Sequence, residues 1–259
     1  MDQICGSRSV NLSDWHFSSF DNVNLKIHEM GVGRPIILLH GLFSNADTNW
    51  IKFGHAATLA DAGFRVIMPD LRAHGQSDAP HDPTAYPADV LVKDTFALIA
   101  HLELTDYDLG GFSLGARTTA KLLTQGLTPR KAILAGMGLE GLAGWQRRRD
   151  FFLKAIELRD TAKRGDPHWF AIQFMKSQKI DPVAAAHLLG SFTDMEPDAL
   201  DAIPMPVLVL CGAEDRDNGD PQKLADALLS GQLVEIPGTH MSCVTKPELG
   251  FELVRFLTT

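Results

Sequence analysis

Six short runs of this chain are apolar nearly throughout, and helical patterns separate most of them. That alternation restricts the fold more than any other feature. Pro35 to Leu39 reads Pro-Ile-Ile-Leu-Leu, and Phe64 to Met68, Tyr107 to Phe112, Lys131 to Ala135, Val207 to Cys211 and Leu233 to Ile236 follow the same grammar. A strand wetted on one face alternates apolar and polar residues, whereas a continuous apolar run marks a strand covered on both. Ala88 to Leu104, Gly115 to Gln125 and Pro221 to Leu229 carry helical periodicity. The class is therefore α/β: a mostly parallel, twisted sheet flanked by helices, with ligands expected at the carboxyl ends of its strands. Ahead of the first run, Phe17 to Phe20 and Val23 to His28 flank Asp21-Asn22 as a hairpin. Near the end, Thr245-Lys246-Pro247-Glu248 predicts a capping box opening a last helix, with an apolar stripe at Leu249, Leu253, Phe256 and Leu257.

The alternation fails between Glu140 and Pro204. Trp145 to Arg159, His168 to Ser177 and Pro182 to Leu189 all read as helix, and the stretch is too long and too patterned for a loop. The expected organisation is a core in two parts, residues 1–139 and 204–259, with residues 140–203 inserted as a helical cap. The chain has 259 residues, 45% hydrophobic and 22% charged, so disordered, collagen-like and coiled-coil classes drop out.

Lys and Arg number 24 against 32 Asp and Glu, a net charge of −8. Such a chain repels phosphate backbones, so nucleic acid is not the expected partner, nor, more weakly, is an anionic membrane surface. Arg147-Arg148-Arg149 is the one basic cluster and reads as a solvated helix face. Cys5, Cys211 and Cys243 are odd in number and widely spaced, with no Cys-x-x-Cys, which indicates neither a disulfide framework nor a zinc site. The start, MDQICGSRSV, has no apolar signal core, and no stretch reaches membrane-spanning length; a cytoplasmic monomer or homodimer is expected.

The chemistry centres on Gly110-Gly111-Phe112-Ser113-Leu114-Gly115, a Gly-x-Ser-x-Gly with an apolar run before it and a helical pattern after it. A serine on so sharp a turn is exposed at the amino end of a helix, where free N–H groups and the dipole favour developing negative charge. Its hydroxyl needs a base. Downstream, Asp215 follows the strand Val207 to Cys211, and His240, read as a loop residue, follows the strand Leu233 to Ile236. All three sit past the same edge of a parallel sheet, as a Ser-His-Asp triad requires. Asp217 and Asp220 are close enough to be alternative acids.

With these residues the chain resembles the α/β-hydrolase family, serine carboxylesterases in particular, over nearly its whole length. The resemblance implies that the residue after His40-Gly41 donates an oxyanion-hole N–H. That position is Leu42, and the second donor is Leu114, directly after the serine. It also favours Asp215 as the acid, and His40 as a residue bonding loop backbone beneath the hole. Asp70-Leu71-Arg72-Ala73-His74-Gly75-Gln76-Ser77 is similar to the family's Asp-x-Arg-Gly-x-Gly-x-Ser loop, with Ala73 where glycine is usual. Haloalkane dehalogenases and epoxide hydrolases carry aspartate at this elbow, so the serine reads against both.

Other motifs carry less. Gly136-Met137-Gly138-Leu139-Glu140-Gly141 matches a dinucleotide fingerprint but lies mid-chain and leads into the helical stretch. Asp215 to Gly219 is similar to a calcium loop but lacks its closing glutamate. No cofactor and no metal are expected. The cap is rich in aromatic residues, of which Trp169, Phe170 and Phe174 are expected above Ser113, with Phe43 also lining the pocket. An apolar roofed site beside an acidic surface points to a small neutral carboxylic ester. Lactone or carbon–carbon bond hydrolysis, perhydrolysis and a slow-turnover small-molecule receptor are the alternatives.

Overall fold

Among the described residues eight strands form one sheet in the order β1-β2-β4-β3-β5-β6-β7-β8. They are β1 (Leu12–Ser18), β2 (Asn24–Met30), β3 (Arg34–Leu39), β4 (Phe64–Pro69), β5 (Asp108–Phe112), β6 (Ala132–Ala135), β7 (Val207–Gly212) and β8 (Gly231–Ile236). The structure is a computed structural model describing residues 11–259. The stretch read for a signal core, and Cys5 within it, lie outside the described residues. β1 and β2 form a hairpin about the expected Asp21-Asn22, though its first strand is Leu12–Ser18 and Phe20 belongs to the turn; β2 pairs antiparallel with β4, and every pairing from β4 onward is parallel.

Among the described residues there are nine α-helices: α1 (His55–Asp61), α2 (Val90–His101), α3 (Leu114–Thr124), α4 (Trp145–Glu157), α5 (Trp169–Ser177), α6 (Pro182–Ser191), α7 (Pro221–Asp226), α8 (His240–Cys243) and α9 (Pro247–Thr258). The period of two sorts the strand residues between the faces. Ile36 and Leu38 pack with Leu59 of α1 and with Leu249, Leu253 and Leu257 of α9. Ile37 and Leu39 pack with Leu91 and Leu98 of α2 and Leu122 of α3. Farther along the sheet, Leu134, Val207 and Val209 meet Ala116 and Ala120 of α3 and Leu224 of α7. Among the described residues no helix is long and apolar enough to cross a membrane.

Between β6 and β7 the chain runs through α4, α5 and α6, which pack on one another through Trp145, Ala155, Ile172, Met175 and Leu189. Both ends of this excursion are tied to α3. Arg117 donates to the Leu142 and Thr193 carbonyls, while Lys121 donates to Thr193 and pairs with Asp89 at 2.7 Å. Asp89 in turn donates its N–H to Ser191 and accepts from Thr193.

One capping expectation is corrected. Lys246, not Thr245, is the N-cap of α9, and no side chain caps it. The Thr245 hydroxyl is taken instead by the Ser242 carbonyl three residues back. The capping box lies one helix earlier, between Thr239 and Ser242 at the start of α8.

Candidate active site

The parallel register sets the site. Leu39 of β3 lies opposite Gly111 of β5, Phe112 opposite Ala135, Ala135 opposite Leu210, and Gly212 of β7 opposite Ile236 of β8. The segments carrying Gly41-Leu42, Ser113, Asp215 and His240 therefore leave the sheet at one edge. Ser113 follows β5 with φ 54° and ψ −110°, a strained conformation outside the wells open to a side chain. The turn closes only because its neighbours are small. A Cβ on Gly111 would stand 2.2 Å from the Gly115 carbonyl carbon, and one on Gly115 would stand 2.1 Å from the Leu39 oxygen.

The three residues singled out from the sequence are hydrogen-bonded in series. Ser113 Oγ lies 3.1 Å from His240 Nε2, and His240 Nδ1 lies 2.8 Å from Asp215 Oδ2. A carboxylate only accepts, so Nδ1 carries the proton and Nε2 is left as the acceptor facing the serine. Asp215 also accepts the Asp217 N–H at 3.1 Å. Asp217, the alternative acid, is exposed and supplies that backbone donor rather than the bond to His240. His240 is the first residue of α8, not a loop residue, and the Phe112 ring lies against its imidazole with centroids 4.9 Å apart.

Beside Ser113, buried side chains grip the segment that carries Leu42. Asn49 Oδ1 accepts the Gly41 N–H, His74 Nε2 accepts that of Phe43, and Asp70 Oδ1 accepts that of Ala46. His40 Nε2 accepts from Leu71 N–H while its Nδ1 donates to the Gly41 carbonyl. Burial lowers the pKa of both histidines, that of His74 to about 3, so both are neutral with the proton on Nδ1. The N–H groups of Leu42 and Leu114 have no acceptor among the described residues.

The Asp70 to Ser77 loop keeps its turn despite Ala73, which takes φ 65° where glycine would be relaxed. The left-handed region costs an alanine about 1–2 kcal/mol. Glycine would forfeit the buried methyl, about 0.8 kcal/mol, and lose more chain entropy, roughly 0.5–1 kcal/mol. The two choices are close to balanced, so alanine can stand there. Arg72 in the same loop is fully buried between the carboxylates of Asp21 and Asp94.

Two cavities meet at Ser113 and His240. The smaller, about 170 Å³, is lined by Phe53, Phe112 and Val244 on the core side. The larger, about 610 Å³, opens beneath α4 and α5 and is lined by Phe43, Phe151, Phe152, Phe170 and Phe174. Phe174 lines both, and Phe170 stands at the mouth, 81% exposed. Trp169 lines neither; it packs edge-on against Phe170, which corrects its expected place above Ser113. The arginine cluster is corrected as well. Arg147 is exposed, but Arg148 is half-buried and lines the larger cavity, donating Nη1 to the Asp217 carbonyl at 2.9 Å.

Burial holds the Cys211 thiol up at about 12 and the Cys243 thiol at about 11, so neither supplies a thiolate. Asp215, Asp217 and His240 place three potential ligand atoms within 4.8 Å, the one such cluster among the described residues. Asp215 and His240 already spend such atoms on each other, a poor starting point for a cation. The Gly136 to Gly141 motif has a packing explanation: a Cβ on Gly138 would strike the Gly219 backbone at 2.4 Å.

A profile of the alpha/beta hydrolase fold matches residues 34–170, more than half of the chain. The chain belongs to the α/β-hydrolase fold family. An AB hydrolase superfamily protein of Bacillus subtilis is 35% identical over 105 residues, which are 40% of this chain and 37% of that one. The chain spans about a third of the length of the curated relatives it matches this well. Among solved α/β-hydrolase structures, an esterase from Thermogutta terrifontis superposes with a TM-score of 0.75 at 22% identity, covering 95% of this chain and 98% of its own. A bromoperoxidase from Bacillus anthracis does so with a TM-score of 0.70 at 20% identity, covering 95% and 100%. At these identities the structural likeness speaks for the fold alone.

Proposed function

We propose that this α/β hydrolase is a serine hydrolase that cleaves a small, largely apolar carboxylic ester through an acyl-enzyme. The observation that carries the reading is the unbroken hydrogen-bond series from Ser113 Oγ through His240 to Asp215, with the serine on a strained elbow. In this reading His240 Nε2 takes the hydroxyl proton as Ser113 attacks the ester carbonyl. The oxyanion accepts from the Leu42 and Leu114 N–H groups, donors of the kind whose loss typically costs about 3–4 kcal/mol. His240 then gives the proton to the leaving alcohol, and water repeats the sequence on the acyl group. The helices between β6 and β7 act as a cap, residues 140–203, whose aromatic side chains receive one part of the ester while the smaller cavity receives the other.

Ser113→Ala is expected to abolish turnover of p-nitrophenyl acetate, and a fluorophosphonate is expected to add to Ser113 by mass spectrometry. Full activity in the pure variant overturns the assignment. A second reading takes up the name of a curated relative, a putative non-heme bromoperoxidase of Mycobacterium tuberculosis 27% identical over 87% of this chain. Hydrogen peroxide taking water's place at the acyl-enzyme would give a peracid; peroxide-dependent bromination from acetate, lost in Ser113→Ala, is its signature.

A further inference from the structure

α4 turns one face toward the site. Trp145, Arg148 and Phe152 succeed one another at helical spacing, and Arg148 and Phe152 line the larger cavity together with Ser113 and His240. Trp145 and Arg148 also wall a narrow recess that Leu42, Ser113 and Leu114 close from the other side. Arg148 therefore shares both the cavity and the recess with Ser113.

Among the described residues it has no carboxylate in contact. Arg34, Arg65, Arg72 and Arg117 each have a carboxylate oxygen within 3.5 Å. Arg148 has none among the described residues; its one hydrogen bond is to the Asp217 carbonyl. A guanidinium carries five N–H donors in a planar fork shaped for a carboxylate, and one recorded bond leaves most of that capacity unused beside the cavity that Arg148 lines. Three charged groups lie nearby: Asp217, Asp215 and Arg147. Asp217 is exposed, and Asp215 is committed to His240 and to the Asp217 N–H. They make the surroundings more negative without neutralising the guanidinium by contact. Partial burial lowers the arginine's pKa, a cost that an incoming anion would offset.

We infer that the preferred ester carries a second, free carboxylate in the part lying beneath α4 and α5, and that Arg148 receives it as the specificity-determining residue. This rests on the ester hydrolysis proposed above and amends its substrate, adding one charged end to an otherwise apolar ester. The net charge of −8 slows the approach of an anion at low salt, but contact with a fork-shaped cation inside the cavity decides which ester is held.

The test compares p-nitrophenyl hemi-esters of linear dicarboxylic acids with p-nitrophenyl alkanoates of equal length. A second series carries the carboxylate on the alcohol instead, phenyl against carboxyphenyl acetates. In one series kcat/KM should favour the anionic ester. Arg148→Met should lower that anionic-to-neutral ratio by about tenfold or more, mainly through KM, as expected for a lost charge-assisted pair. Arg148→Lys should restore part of it, and Asp217→Asn should raise it. A ratio unchanged by Arg148→Met, or no anionic preference in either series, overturns the inference: Arg148 would then only brace the Asp215 loop through the Asp217 carbonyl. Dicarboxylic mono-amides, which have no ester to cleave, provide a reading independent of turnover. Their calorimetric affinity for Ser113→Ala protein should fall about tenfold or more when Arg148→Met is added, by the same lost pair. Should esters prove not to be substrates, that binding difference still decides the carboxylate site.

Discussion

Asp215→Asn tests the hydrogen-bond series at its least obvious link. Asp215 uses its two oxygens differently: Oδ2 faces His240 Nδ1 at 2.8 Å and Oδ1 accepts the Asp217 N–H at 3.1 Å. An amide keeps one acceptor and gains one donor group. With its oxygen on the Asp217 N–H, its NH2 faces Nδ1 and forces the imidazole proton onto Nε2. His240 then presents a donor to Ser113 and cannot take its proton. Turning the amide over restores the right tautomer but sets NH2 against the Asp217 N–H, leaving that donor unmet at about 1–3 kcal/mol. The competent form is thereby held to a minority of molecules, and the imidazolium formed in reaction also loses its negative neighbour. A loss of about 10²–10⁴ in kcat is expected, with KM little changed. Steady-state hydrolysis of p-nitrophenyl acetate reads this, with circular dichroism to show that the variant is folded. Asp217→Asn is the control and should lose less than about tenfold, because its part in the series is a backbone N–H that the substitution keeps. An Asp215→Asn enzyme within tenfold of wild type, or an Asp217→Asn enzyme as weak as Asp215→Asn, refutes the assignment of the acid.

Two further outcomes concern stability. Burial alone would lower the His28 pKa, but bonds and charges from Asp70 and Asp14 raise it above the usual histidine value. Its stabilising contribution is therefore complete below the unfolded pKa and lost as pH rises through the folded one. Urea titrations from pH 5.5 to 9 should show wild type losing more stability than His28→Gln over that rise, and parallel curves would contradict the assignment. Arg72→Met leaves Asp94, 3% exposed, without its cation and should destabilise by about 3–5 kcal/mol in the same assay. Burial already raises the Asp94 pKa, so the deficit should shrink toward acid pH, where the carboxyl protonates.

The sheet was legible because strands covered on both faces must be largely apolar, and β6 and β7 are so throughout while β3 and β4 depart from it only at Arg34 and Arg65. Ser113 was legible because few sequences satisfy a strand-to-helix elbow, and Asp215 and His240 because parallel strands deliver their ends to one edge. Other features leave no such mark. α8 has four residues, too few to show a period, so His240 reads as loop. Periodicity separates the polar face of a helix from its apolar face but cannot say whether the polar face meets bulk water or a cavity. Arg148 therefore reads as solvated while it lines the site. Trp169 fails for a related reason. An aromatic residue at the first turn of α5 can lie on either side, and here it packs on Phe170. Asn49 and His74 hold the loop by contacts 8 and 31 residues away in sequence, which no local pattern encodes.

Those contacts explain how a flexible-looking loop can serve as a fixed electrostatic element. Gly41 and Phe43 each donate to a buried side chain, Asn49 and His74, while Leu42 between them donates to nothing among the described residues. An unmet N–H costs about 1–3 kcal/mol where water is excluded, and a loop free to move would turn to satisfy it. The two flanking bonds prevent that. Both use neutral acceptors, and with the His74 pKa at about 3 the grip on Phe43 does not weaken across the range in which enzymes of this family would work. The Leu114 N–H is fixed by a different device, the first turn of α3, where no intrahelical acceptor exists. Among the described residues the fold thus leaves two unmet donors, one directly after the serine and one on a segment that lines the same cavity. In the reaction proposed above, a charge forming on an oxygen between them would need little further reorganisation, which is the condition under which such donors lower a barrier most.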